Sequence, residues 1–94
     1  MSQQRTSNPK YTHSVRLLYE QAHHTVHNLF DSRPEETPPE SEHGPTMLDG
    51  LFQGQPARIE LCTDNMAYVW GQSEFGARTL ARDLEARSRE LAAR

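Results

Sequence analysis

The sequence predicts a small α+β domain in the order α-β-β-β-α, a three-stranded antiparallel sheet with two helices on one face. Three observations lead there. Apolar residues recur with a helical period between Pro9 and Phe30, turn clusters divide Met47 to Trp70 into short runs, and a leucine stripe follows Gly71 towards the C-terminus. The 94 residues are read as one domain with a thin core, because Leu, Ile, Val and Phe number only sixteen. None of the sixteen falls in residues 1–10 or 31–46. Residues 1–8 are therefore expected to form a flexible tail and 32–46 a linker or long loop.

The first helix is expected over residues 9–30. Asn8 is placed to cap it, with Pro9 at the first helical position. At about 100° per residue, Tyr11, Val15, Leu18, Ala22, Val26 and Leu29 fall on one stripe. Arg33-Pro34 stops it, because the residue before a proline is pushed out of the α region. The following segment holds four of the six prolines and the acids Glu35, Glu36, Glu40 and Glu42. Proline denies it both a helix interior and a ladder, so a solvated connector is the reading.

Three strands are expected next, Met47–Phe52, Ala57–Cys62 and Met66–Trp70, parted by Gln53-Gly54-Gln55-Pro56 and Thr63-Asp64-Asn65. Asp49-Gly50 is a place where the first of them could bend or bulge. If Asp64-Asn65 is a two-residue turn, Leu61 opposes Tyr68 and Ile59 opposes Trp70. That register puts Ile59, Leu61, Met66, Tyr68 and Trp70 on the core face, and Arg58, Glu60, Cys62, Ala67 and Val69 on the other. Ser73 caps a last helix from Glu74 onward, with Leu80, Leu84 and Leu91 on its apolar stripe and Ala77 and Ser88 between them. Gly76 is expected to let that helix come close to the sheet. Arg and Glu at i+3 and i+4 lace its outer side, each pair worth about 0.2–0.5 kcal/mol.

Composition excludes several classes of function. No apolar run is long enough to cross a membrane, and none follows the charge at the N-terminus as in a secretory signal. A lone cysteine, Cys62, forms no internal disulfide and points to a reducing, cytoplasmic setting. Thirteen acidic against ten basic residues argue against binding nucleic acid through bulk charge. No nucleophile elbow, phosphate-binding glycine loop or His-Glu-x-x-His is present, so no catalytic residue, cofactor or enzyme activity is assigned.

Glu20, His23, His24 and His27 form the most conspicuous cluster. His23 and His27 stand at i, i+4, a spacing that permits a transition metal to be held by two rings. On the solvent side of a helix, however, nothing would orient those rings, so a polar helix face is preferred and the four remain weak metal candidates. Cys62 has no neighbouring histidine to activate it and reads as structural.

The function expected is that of a small non-catalytic protein-binding module, a regulator or inhibitor acting by stoichiometric interaction with another protein. Size and acidity match inhibitors and adaptors carried by phages and mobile elements. The binding residues expected are Leu17, Glu20 and His24 on the outer side of the first helix, with Glu35, Glu36, Glu40 and Glu42, and the partner should carry a basic surface. A homodimer through the leucine stripe or a sheet edge is an option for so thin a core. The alternative is a nucleic-acid-binding domain sharing the α-β-β-β-α order of double-stranded-RNA-binding domains. It is disfavoured because Glu74 stands where those place a base at the start of the last helix. A His-cluster metal-binding protein is third.

Overall fold

A computed structural model describes residues 11–17, 26–42 and 44–93. In chain order its elements are β1 (Tyr11–Arg16), a 3-10 turn (His27–Leu29), β2 (Glu35–Thr37), β3 (Thr46–Phe52), β4 (Gln55–Leu61), β5 (Met66–Gly71) and the helix α1 (Glu74–Ala92). The strands make one antiparallel sheet in the order β1-β5-β4-β3-β2. The expected three-stranded sheet with two helices on one face is thus corrected: among the described residues there are five strands in one sheet and a C-terminal helix.

Both additional strands come from segments read differently in the sequence. Residues 11–16 pair along their whole length with β5, from Tyr11 opposite Gly71 to Arg16 opposite Met66. Tyr11 and Val15, which fit a helical stripe, also fit an alternation that Leu17 continues, and a short segment obeys whichever period finds a partner. Here β5 supplies an unfilled edge, and Val15 and Leu17 enter the core. Inside the expected connector, Glu35–Thr37 pairs with Asp49, Leu48 and Met47 of β3. This edge strand buries none of its three side chains and is held by its backbone ladder and by the contact of Glu36 with His27. Just before it, Pro34 is buried. Residues 1–8 lie outside the described residues.

The turn between β4 and β5 sets the most consequential register. Cys62 N–H donates to Met66 O at 2.9 Å, so the loop holds three residues, Thr63, Asp64 and Asn65. Asn65 takes φ +67°, the left-handed position that closes such a loop, and the Asp64 side chain accepts from Met66 N–H at 3.1 Å. Ile59 therefore opposes Val69, and Leu61 opposes Ala67. Relative to a two-residue turn the register slips by one, which turns every side chain of β5 over. Leu61 is in the core as expected, while Tyr68 and Trp70 are corrected to the opposite face.

The covered face carries Leu48, Ile59 and Val69 with no solvent exposure, along with Ala57, Leu61 and Ala67. Its cover has two pieces. Over β1 and β5 lies α1, with Ala77, Leu80, Ala81, Leu84 and Ser88 buried. Each fully buried leucine or isoleucine contributes about 1.5–3 kcal/mol relative to exposure. Ser73 caps the helix as expected, its Oγ accepting from Gly76 N–H at 3.1 Å. The close approach of helix to sheet occurs at Gly71 rather than Gly76, since a Cβ on Gly71 would come within 2.8 Å of Ala77.

The second cover is the segment from Val26 to Pro34. Phe30 and Pro34 sit over Gly50, where a Cβ would meet the Phe30 ring at 2.9 Å. Gly50 makes room for that packing and neither bends nor bulges β3, whose seven residues all pair with β4. Asp31 ties the segment to the β3–β4 turn. Its N–H donates to Leu51 O at 2.8 Å, and its carboxylate accepts from Gln53 N–H at 2.8 Å and Gly54 N–H at 2.7 Å. Those two turn residues have φ +54° and +81°, as a tight two-residue hairpin requires.

Candidate functional site

The opposite face of the sheet is where unusual side chains gather. Register fixes its rows. Thr12, Trp70, Arg58, Asp49 and Glu35 lie side by side across all five strands. In the next row come Ser14, Tyr68, Glu60, Met47 and Thr37. Met66 and Arg16 continue the face beyond Tyr68, and Leu51, 46% exposed, extends it on β3. The Tyr68 and Trp70 rings stand 6.4 Å apart at 45°, a tilted aromatic pair. Among the described residues both covering elements, α1 and the Val26–Pro34 segment, pack on the other side, so no element crosses this face.

Half-buried side chains of this kind leave apolar area in contact with water. Met47, Met66, Tyr68 and Trp70 are each only partly buried. A solvated sheet face ordinarily alternates towards polar residues, so a Trp, a Tyr and two Met on it are out of character. Part of its charge is paired within the face. Near the centre Arg58 Nε binds Asp49 Oδ1 at 2.6 Å, which leaves each largely neutralised by the other. Beyond Asp49, at the β2 end, the exposed Glu35 adds an acid to this face, whereas Glu36, opposite the buried Leu48, turns to the covered side and meets His27; Glu40 and Glu42 are exposed in the connector that follows β2.

The residues singled out from the sequence are dispersed by the fold. Leu17, expected as an exposed contact, is corrected to a core residue at 5% exposure, with its N–H donated to Asn65 O at 2.7 Å. Glu20, His23 and His24 lie outside the described residues. His27 stands on the 3-10 turn with Nε2 3.1 Å from Glu36 Oε1, joining that turn to the sheet edge. Among the described residues no three His, Cys, Asp or Glu side chains are grouped to hold a metal ion.

Two further features, a groove and a thiol, lack the chemistry of a site. A shallow groove of about 590 Å³ is lined by His27, Asn28, Phe30, Asp31, Ser32 and Arg33, but the Asp31 carboxylate is already engaged by the β3–β4 turn. Cys62 is half-buried on the strand end. Burial raises its thiol above the ordinary range, and the neighbouring Glu60 and Asp64 charges push it the same way. A reactive thiolate needs the reverse surroundings. No helix among the described residues is long and apolar enough to cross a membrane.

Sequence reasoning missed the aromatic face because it assigned Tyr68 and Trp70 to the core. A usable signal was present in Asn65, a residue type tolerant of the left-handed region at the end of a three-residue polar turn. No protein-family description, curated protein or solved structure matches the chain.

Proposed function

We propose that the chain is a non-catalytic protein-binding module whose partner docks on the open sheet face. The observation that carries this reading is the Tyr68–Trp70 pair, with Met47 and Met66, on a face that no described element covers. Aromatic and methionine side chains give large contact area at low conformational cost and are enriched in interfaces. The partner that fits presents an apolar patch to Tyr68 and Trp70, with basic side chains towards Glu35 and the exposed Glu40 and Glu42 of the connector after β2. Charge complementarity at that rim acts mainly on the rate of encounter. The reading as an RNA-binding domain loses its ground, since it leaned on an α-β-β-β-α order that the chain does not have.

The test is recovery of a stoichiometric protein partner from the source cells, compared across variants. Wild type and Phe75→Ser, which alters an exposed residue on α1, should retain the partner, while Tyr68→Ser and Trp70→Ser should lose it. Charge reversal at Glu35, on the open-face row, should slow association and weaken its dependence on salt, leaving the fold intact. A partner that remains bound to Trp70→Ser, or duplex nucleic acid bound with a steep salt slope in place of protein, overturns the reading.

A further inference from the structure

The two edges of the sheet are built in opposite ways. At one side β2 offers three residues, two of them glutamate, between Pro34 and Pro38-Pro39. Short length, charge and proline are the usual means of blocking strand addition. At the other side β1 offers six residues, Tyr-Thr-His-Ser-Val-Arg, with no proline, glycine or acid. Among the described residues no strand pairs with its outer side.

The direction of the backbone groups on that edge follows from one hydrogen bond. Leu17 N–H donates to Asn65 O, extending the β1–β5 register by one residue. Groups alternate along an antiparallel strand, so His13 and Val15 turn their N–H and C=O towards β5. Thr12, Ser14 and Arg16 then turn theirs outward, and their side chains are exposed.

We propose that the chain forms a homodimer through this edge, β1 pairing antiparallel with β1 of a second copy across a two-fold axis at Ser14. In that register Ser14 faces Ser14 of the second copy, Thr12 faces Arg16, and His13 faces Val15. All three outward residues then meet outward residues, for about six backbone hydrogen bonds, whereas an axis at His13 gives about four within the strand. No like charges stand opposite one another. The axis is perpendicular to the sheet, so both α1 helices lie on one side of it. With α1 over β1 and β5, and strands about 4.8 Å apart, the two helices come roughly 10 Å apart, an ordinary helix-packing distance. The product is a ten-stranded sheet whose open face carries both Tyr68–Trp70 pairs. This association stands on the edge alone and does not depend on the docking function.

Light scattering on the full chain over a wide micromolar range tests it, together with amide exchange. The expected mass is twice that of one chain, and the Ser14 amide should become protected as concentration rises while that of Val15, already directed at β5, does not change. Ser14→Pro removes the central outward N–H without touching the β5 ladder, and should yield a single-chain mass with unaltered circular dichroism. Ser14→Lys sets two ammonium groups directly opposite one another and should do the same, and mixing it with Ser14→Glu should restore a two-chain mass. A wild-type chain that stays at single mass throughout overturns the proposal, as does a dimer that survives Ser14→Lys. Failure of the Lys and Glu variants to associate when mixed overturns the axis at Ser14. Should Ser14→Pro not fold, the charge pair alone decides.

Discussion

The two faces of this sheet are made by the same strands and differ by the parity of residue number. On β4 and β5, Ile59, Leu61, Ala67 and Val69 are buried, while Arg58, Glu60, Tyr68 and Trp70, one residue along, are half-buried. Size does not decide which face a side chain takes. Trp70, the one tryptophan in the chain, lies outside the core, and Ala67 lies inside with no exposure. The covered face instead allows close approach: Gly71 has no side chain where Ala77 of α1 comes down on the sheet. The helix comes closest to the sheet at Gly71, while Phe30 and Phe52 fill the rest of the covered side and the Tyr68 and Trp70 rings lie on the other.

The sharpest way to break that comparison is to truncate one residue on each side. Leu84→Ala, at a fully buried helix position, should cost about 2–5 kcal/mol in urea denaturation. Trp70→Ala should cost only about 1–2 kcal/mol, because much of its area is in water before and after the change. Equal losses would mean that the open face is covered in solution. The register would then be intact and the partner surface gone.

A smaller effect is expected at the helix-to-sheet contact. Gly71→Ala places a Cβ within 2.8 Å of Ala77 backbone atoms, and overpacking of this kind should cost about 1–3 kcal/mol. The compensating variant is not on the helix, since Ala77 is itself already minimal apart from glycine and the clash is with its backbone. Thermal unfolding would show the loss, while Trp70 fluorescence in the native state should change little.

The smallest effect belongs to the second cover. Asp31→Asn retains one acceptor but removes the charge that receives two turn amides, and should cost about 1 kcal/mol. Amide exchange should rise at Gln53 and Gly54 first. Exchange that spread at the same rate through β4 and β5 would instead make the Val26–Pro34 segment part of the central cooperative unit.

Much of the fold was legible before any tertiary structure. The β3, β4 and β5 runs, the Ser73 cap and the helix that follows it appear within two residues of where residue chemistry placed them, although Gln55 and Pro56, expected in a turn, open β4. Leu80 and Leu84 are core residues, as their spacing implied. The ion pair between Glu85 and Arg89 was also foreseen, at 2.9 Å. These features are local: a cap, a turn or an i+4 pair is decided within a few residues. The aromatic face was not legible in the same way. Two and three residues are both acceptable lengths for the Thr63–Asn65 turn, and each gives a hairpin with one apolar face.

What the sequence determined by itself was therefore the set of short-range devices and the exclusions that follow from composition. Tertiary structure decided three things that those devices leave open. It turned residues 11–16 into a strand because β5 had an edge to fill, and a segment whose residues satisfy two periods takes the one that buries Val15 and Leu17. It made Glu35–Thr37 a strand although no side chain there is buried, because β3 offered backbone partners and Pro34 found a place over Gly50. It sent Trp70 outward because the three-residue Thr63–Asn65 loop fixes a register in which Ala67 and Val69 take the covered face, with Gly71 against Ala77 of α1. Local chemistry acts on neighbours in the chain, whereas register and burial are settled by partners far along it, and only the folded whole brings those partners together.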